Sequence, residues 1–150
     1  MNKQAAERNG RRSETLAAWA LRLKFYRILS RRLKTPLGEI DMVALPLFGP
    51  VCFVEVKARQ THDAAVLSVS PAQRTRIARA AHLYLAGRPG LVGRGARFDI
   101  VAVAPGRWPR HHADAWRPDL LRRGARFDII AVAPGRWPRH HADAWRADDI

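Results

Sequence analysis

Gly38-Glu39-Ile40-Asp41 and, a loop later, Phe53-Val54-Glu55-Val56-Lys57-Ala58-Arg59 are the two stretches whose reading decides the fold of this chain. Both are apolar runs bounded by turn residues: Thr35-Pro36-Leu37-Gly38 before the first, and Pro46, Gly49 and Pro50 between them. Glu39–Leu45 and Val51–Lys57 therefore read as two strands of a hairpin. Side chains alternate faces along a strand. Alternation puts Glu39 and Asp41 on one face, with Ile40 and Met42 on the other. It likewise puts Phe53, Glu55 and Lys57 opposite Cys52, Val54 and Val56. If the hairpin pairs, Asp41 and Glu55 lie on adjacent strands roughly 5 Å apart at the backbone. Two ionised carboxylates at that separation repel by about 3 kcal/mol at an effective dielectric of 20. Either one holds a proton or a cation sits between them. Hard oxygen donors of this kind suit Mg²⁺ or Mn²⁺, with Asp41 and Glu55 as ligands. Lys57, on the same face as Glu55, is placed to orient a water, help deprotonate it, and stabilise charge growing on a phosphate. In outline this is a phosphodiester hydrolase. A Glu-x-Lys triplet alone is a weak signal, its plain reading an exposed ion pair worth at most about 1 kcal/mol. Its position on an apolar strand, with 13 residues between Asp41 and Glu55, gives it weight.

The surroundings make the acids stand out. Residues 1–62 hold five Asp and Glu against twelve Lys and Arg, and three of those five lie in this region. The whole chain of 150 residues carries a formal charge of +14, and 23 of its 27 basic residues are Arg. The guanidinium fork grips phosphate, and counterion release drives binding to polyanions. A nucleic-acid partner is the natural expectation. No segment joins a basic face to a broad apolar face, which argues against a membrane-surface role. No apolar run is long enough to span a bilayer. Cys52, the single cysteine, lies in an apolar strand and cannot build a disulfide framework. A reducing, cytoplasmic setting is expected.

Along the chain, residues 5–24 read as a helix with Leu16, Trp19, Ala20 and Leu23 as the buried stripe. Residues 26–30 read as a short strand, and residues 60–69 as polar and irregular. Ser70-Pro71 opens a second helix as N-cap and first turn, Ile77, Ala80, Ala81, Tyr84 and Leu85 form its apolar stripe, and Gly87 ends it. Residues 98–103 make a buried strand. The order α-β-β-β-α-β describes an α/β domain with a mixed β-sheet flanked by helices, spanning residues 1–116. Residues 117–145 then repeat residues 88–116 with 25 of 29 positions identical. Two copies are too few for a solenoid, so residues 117–150 read as a duplicated C-terminal tail. One sheet has one place for the repeated strand, and the copy with the shorter connection is favoured by loop closure.

Other features carry weaker chemistry. His111-His112 with Asp114 has metal-ligand residue types, but adjacent histidines in a Pro- and Trp-containing loop read first as solvated. Trp108 and Trp116, set among Arg, read either as base-stacking rings or as packing of the tail. Arg74, Arg76 and Arg79 read as a solvated helix face that, near a phosphodiester site, would track a nucleic-acid backbone.

Gly10-Arg11-Arg12 with Glu14, Gly38-Glu39-Ile40-Asp41, Phe53 to Arg59, Ser70-Pro71 and Arg97 to Val103 together resemble the bacterial YraN family over about residues 8–116. That family is assigned to the PD-(D/E)XK nuclease superfamily, near archaeal Holliday junction resolvases. The resemblance implies a restriction-endonuclease-like core with Asp41, Glu55 and Lys57 as the catalytic set and Mg²⁺ or Mn²⁺ as cofactor. It adds Glu14 as a helical carboxylate and Glu39 as an accessory acid at the edge of the site. Relatives usually carry Lys then Gln after the Pro that opens the second helix. Here Ala72-Gln73 follows, which keeps Gln73 as an accessory residue without the lysine. Arg59, Arg74, Arg76 and Arg79 become candidate contacts to nucleic acid, DNA first, and resolvase-like relatives suggest a homodimer. The implied activity is metal-dependent cleavage of DNA, including branched or structured DNA. The competing expectation is a nucleic-acid-binding protein that keeps the fold without turnover.

Overall fold

The computed structural model describes residues 3–118, 127–131 and 139–145. Helix α1 (Lys3–Arg22) leads into strand β1 (Arg27–Thr35), β2 (Gly38–Leu45) and β3 (Val51–Ala58). The short helix α2 (His62–Leu67), α3 (Pro71–Ala86) and the single turn α4 (Pro89–Val92) precede β4 (Ala96–Val103) and β5 (Arg110–His112). The five strands form one sheet in the order β1-β2-β3-β4-β5. Neighbours are antiparallel except β3 and β4, which run parallel across the connection through α2 to α4. The chain is thus an α/β protein with a mixed sheet and helices on both faces, an arrangement compatible with a restriction-endonuclease-like core.

Two apolar layers sandwich the sheet. Beneath α3, Ile40, Val43, Phe53, Phe98 and Ile100 meet Ile77, Ala80, Ala81, Tyr84 and Leu85. Phe98 stacks on Phe53 at 5.8 Å and on Trp116 at 4.5 Å between ring centroids. Beneath α1, Met42, Ala44, Cys52, Val54, Val101 and Val103 meet Ala17, Ala18 and Leu21. Each fully buried large side chain among these contributes about 1.5–3 kcal/mol. The α3 stripe is the one expected from the sequence, with Ser70 accepting from the Gln73 amide as N-cap.

The α1 stripe differs. Ser13, Ala17, Ala18, Ala20 and Leu21 face inward, while Leu16, Trp19 and Leu23 are exposed. Alanines let the helix lie close to the sheet, and the bulky set one position over is turned to the flank. Residues 60–69 also differ from the irregular segment expected. Thr61 accepts from the Ala64 amide and caps α2, whose His62 and Ala65 are buried against the domain.

Gly38 marks where α3 crosses β2. A Cβ there would sit 3.0 Å from the Arg76 carbonyl oxygen, so any larger residue would press helix and strand apart by a few tenths of an ångström.

The repeated segment forms a separate two-stranded antiparallel sheet from β6 (Phe127–Ala131) and β7 (Arg139–Trp145). Its pairing of Ile129 with His141, Ile130 with His140 and Ala131 with Arg139 reproduces, 29 residues on, the pairing of β4 with β5. The first copy holds the place beside β3. The rest of the tail lies outside the described residues.

Candidate functional site

Strict alternation fails at one point in β2, and the site depends on that point. Ile40 packs beneath α3 and Met42 beneath α1, so two residues expected on one face lie on opposite faces. The irregularity is shared with β1, where Arg31 pairs with Met42, Leu33 pairs with Ile40, and Arg32 between them takes a φ of 52°. Asp41 sits at this irregularity and lines a cavity of about 940 Å³ together with Glu14 of α1, Glu55 and Lys57.

Asp41 is held across the end of the β2–β3 ladder. The last register pair is Met42 with Val54, and one step beyond it Asp41 Oδ2 accepts a 2.8 Å hydrogen bond from the Val56 amide. The strands have begun to part here, and a carboxylate replaces the missing backbone acceptor. Glu55 is buried. Its Oε1 pairs with Lys57 Nζ at 2.9 Å and accepts from Gln73 Nε2 at 2.6 Å. Gln73 reaches it from the first turn of α3, so a helix and a strand meet on one carboxylate oxygen.

Glu14 enters from α1. Its side chain is largely covered, Oε1 lies 3.8 Å from Arg32 Nε, and Oε2 is buried without a hydrogen-bond partner among the described residues. Arg59 lines the same cavity, with Arg12 and Arg107. Arg74, Arg76 and Arg79 lie on α3 and do not line it; Arg76 and Arg79 are exposed and Arg74 is half-buried. Glu39 is exposed, pairs in register with Lys34, and is likewise outside the lining. The structure therefore brings together Asp41, Glu55, Lys57, Glu14, Gln73 and Arg59, and leaves Glu39 and the three α3 arginines apart.

The crowding of acids has an electrostatic consequence. Burial first, then the charge of Glu55, push the Asp41 carboxyl up to about 7; the Val56 amide and Lys57 pull the other way, and Glu14 adds to the rise. A proton or a cation is thus favoured at Asp41 near neutral pH. Among the described residues no group of three or more His, Cys, Asp and Glu is placed to hold a metal ion. Mg²⁺ does not require one, since one or two carboxylates with waters and substrate phosphates complete its octahedron. The donor set fits on that basis. Asp41 and Glu55 each bind their protein partners through one oxygen, and Glu14 lines the same cavity.

A second polar cluster was not legible as such. Asp99 on β4 is completely buried. Arg97 grips it with two 2.8 Å bonds, His111 Nε2 lies 2.8 Å from Oδ2, and the Asp114 amide donates to Oδ1 at 3.0 Å. Burial opposes the charge on Asp99, but the bonds from His111 and Arg97 outweigh it and hold its pKa below the usual carboxylate range. His111 is therefore a buried partner on β5 and not a solvated loop residue, because its ring closes the Asp99 site against Tyr26. The Arg97-x-Asp99 spacing, with both side chains on one strand face, was the available signal. Cys52 lies fully buried nearby, its thiol donating to the Pro50 carbonyl. Burial, reinforced by Asp99, pushes that thiol up to about 12, which makes it a packing residue.

Residues 13–103, which carry the second half of α1, the site strands and α3, match the model of the Uncharacterised protein family UPF0102. The chain belongs to this family. A UPF0102 protein of Parvibaculum lavamentivorans is 52% identical over 112 residues, covering 75% of this chain and 84% of the relative. One from Paramagnetospirillum magneticum is 53% identical over 117 residues, covering 75% and 90%. One from Chelativorans is 50% identical over 111 residues, covering 74% and 89%. The UPF0102 match is the YraN resemblance read from the sequence, and it ends at the last residue of β4.

Proposed function

We propose that this UPF0102 protein is a metal-dependent nuclease that hydrolyses phosphodiester bonds in DNA, including branched or otherwise structured DNA. The observation that carries the reading is the meeting of Asp41, Glu55 and Glu14 beside Lys57 in one cavity with an arginine rim. Mg²⁺ or Mn²⁺ held by Asp41 and Glu55 would supply Lewis acidity and a water acidified toward neutral pH. The protein's own groups do the rest. Lys57, fixed by Glu55 on one side, presents its ammonium to a phosphate in the cavity and stabilises charge that grows there. Gln73 holds Glu55 in its rotamer. Arg12, Arg59 and Arg107 bind and orient the polyanion, consistent with the charge of +14.

The rival is a nucleic-acid-binding protein without turnover. It is favoured by one observation: Lys57 and Gln73 both meet Glu55 Oε1, so that oxygen is engaged by protein groups. Labelled single-stranded, duplex and four-way-junction DNA incubated with Mg²⁺ or Mn²⁺ separates the two. Cleavage lost in Asp41→Ala and Glu55→Ala supports the nuclease. Binding without cleavage in both metals supports the rival.

A further inference from the structure

The two tryptophans of the first repeat copy have opposite fates. Trp116 is buried against Phe98. Trp108 is 61% exposed and lines the carboxylate cavity. It stands on the loop between β4 and β5, and that loop is pinned at both ends. The Arg107 amide donates to the Ala104 carbonyl at 3.2 Å across a turn in which Gly106 takes a φ of 65°. On the other side Pro109 is buried and β5 is held through His111 to Asp99. The indole is therefore presented on a braced support, and its neighbour Arg107 shares the rim with Arg12 and Arg59.

A large apolar ring kept in water beside three guanidinium groups and a phosphodiester site has a specific complement. Guanidinium groups take phosphates, and a base ring covers an indole face; base-on-aromatic stacking is sequence-tolerant because every base has a π-face. In an intact duplex the base faces are already covered by their neighbours. We infer that Trp108 is a stacking platform for an unpaired base, so that the site takes single-stranded or frayed nucleic acid in preference to a closed duplex. The inference rests on the nuclease reading for its substrate class but concerns a different group.

The test measures binding by fluorescence anisotropy in metal-free buffer, so that nothing is cut. The probes are a labelled single strand, the same strand with abasic sites in place of its central nucleotides, and a blunt duplex. Wild type should bind the intact strand more tightly than either other probe. Trp108→Ala should weaken the intact strand tenfold or more, leave the abasic strand unchanged, and so erase the preference; Trp108→Phe should restore most of it. Equal losses on intact and abasic strands, or no loss on either, would overturn the stacking role while leaving a nucleic-acid site in place. Failure of wild type to bind any of the three probes would overturn the stacking role, while the nuclease reading stands or falls on cleavage with Mg²⁺ or Mn²⁺.

Discussion

Gln73 on α3 donates a 2.6 Å hydrogen bond to Glu55 Oε1 on β3, the same oxygen that Lys57 meets at 2.9 Å. The helix on one face of the sheet thereby fixes an acid that serves a cavity bordered by the helix on the other. Removing such a support typically lowers metal affinity 10- to 100-fold. Gln73→Ala should weaken Mn²⁺ binding by about tenfold, read by calorimetric titration, while costing only about 1 kcal/mol of stability. Unchanged Mn²⁺ affinity would show that Glu55 does not need Gln73.

The Asp41 carboxyl, pushed up to about 7, ties stability to pH. Folding favours its protonated form, so its contribution is complete below the unfolded value near 4 and is lost as pH rises through about 7. Without divalent cations, wild type should lose stability relative to Asp41→Asn over that window, on the order of a few kcal/mol. Urea denaturation of both proteins from about pH 4 to 8 checks it. Parallel pH profiles would contradict the crowding of Asp41 by Glu55 and burial.

Asp99 neutralises Arg97 inside the structure. Asp99→Ala would leave that guanidinium and His111 without their partner, and breaking a buried pair costs about 3–5 kcal/mol. The expected result in urea is a strongly reduced midpoint or no cooperative transition. A loss below 1 kcal/mol would mean that the β4–β5 edge is held by something else.

The sheet, both cores and the cavity described above draw on residues up to Pro118. Truncation after Pro118 should therefore leave stability within about 0.5 kcal/mol of the full chain. A large loss would assign the second repeat copy a structural role.

How much of this was legible follows from where local rules hold. The α3 stripe, the Ser70 cap and strands β3 and β4 obey simple rules, and the sequence shows them. The α1 stripe was misplaced because the hydrophobic pattern weighs Trp19 and Leu16 above Ala17 and Ala18, whereas close packing selects the small side chains. The break in alternation at Asp41 falls between the pairs Arg31–Met42 and Leu33–Ile40, with Arg32 at a φ of 52°, a relation between two strands that the hydrophobic pattern within β2 does not carry. Buried His111 had the same cause: its partner Asp99 lies twelve residues away on another strand. Asp41, Glu55 and Lys57 were recognised through residue type and spacing, but the cavity they share with Glu14 also draws on α1, which strand alternation does not describe.

The most direct test of the account is cleavage of single-stranded and four-way-junction DNA by wild type, Asp41→Asn and Glu55→Gln, with Mg²⁺ or Mn²⁺ and with excess chelator. The account predicts metal-dependent cleavage by wild type, abolished by chelator and lowered at least a hundredfold in both variants while DNA binding persists. Cleavage that survives either substitution, or binding by wild type with no cleavage in either metal, would contradict it.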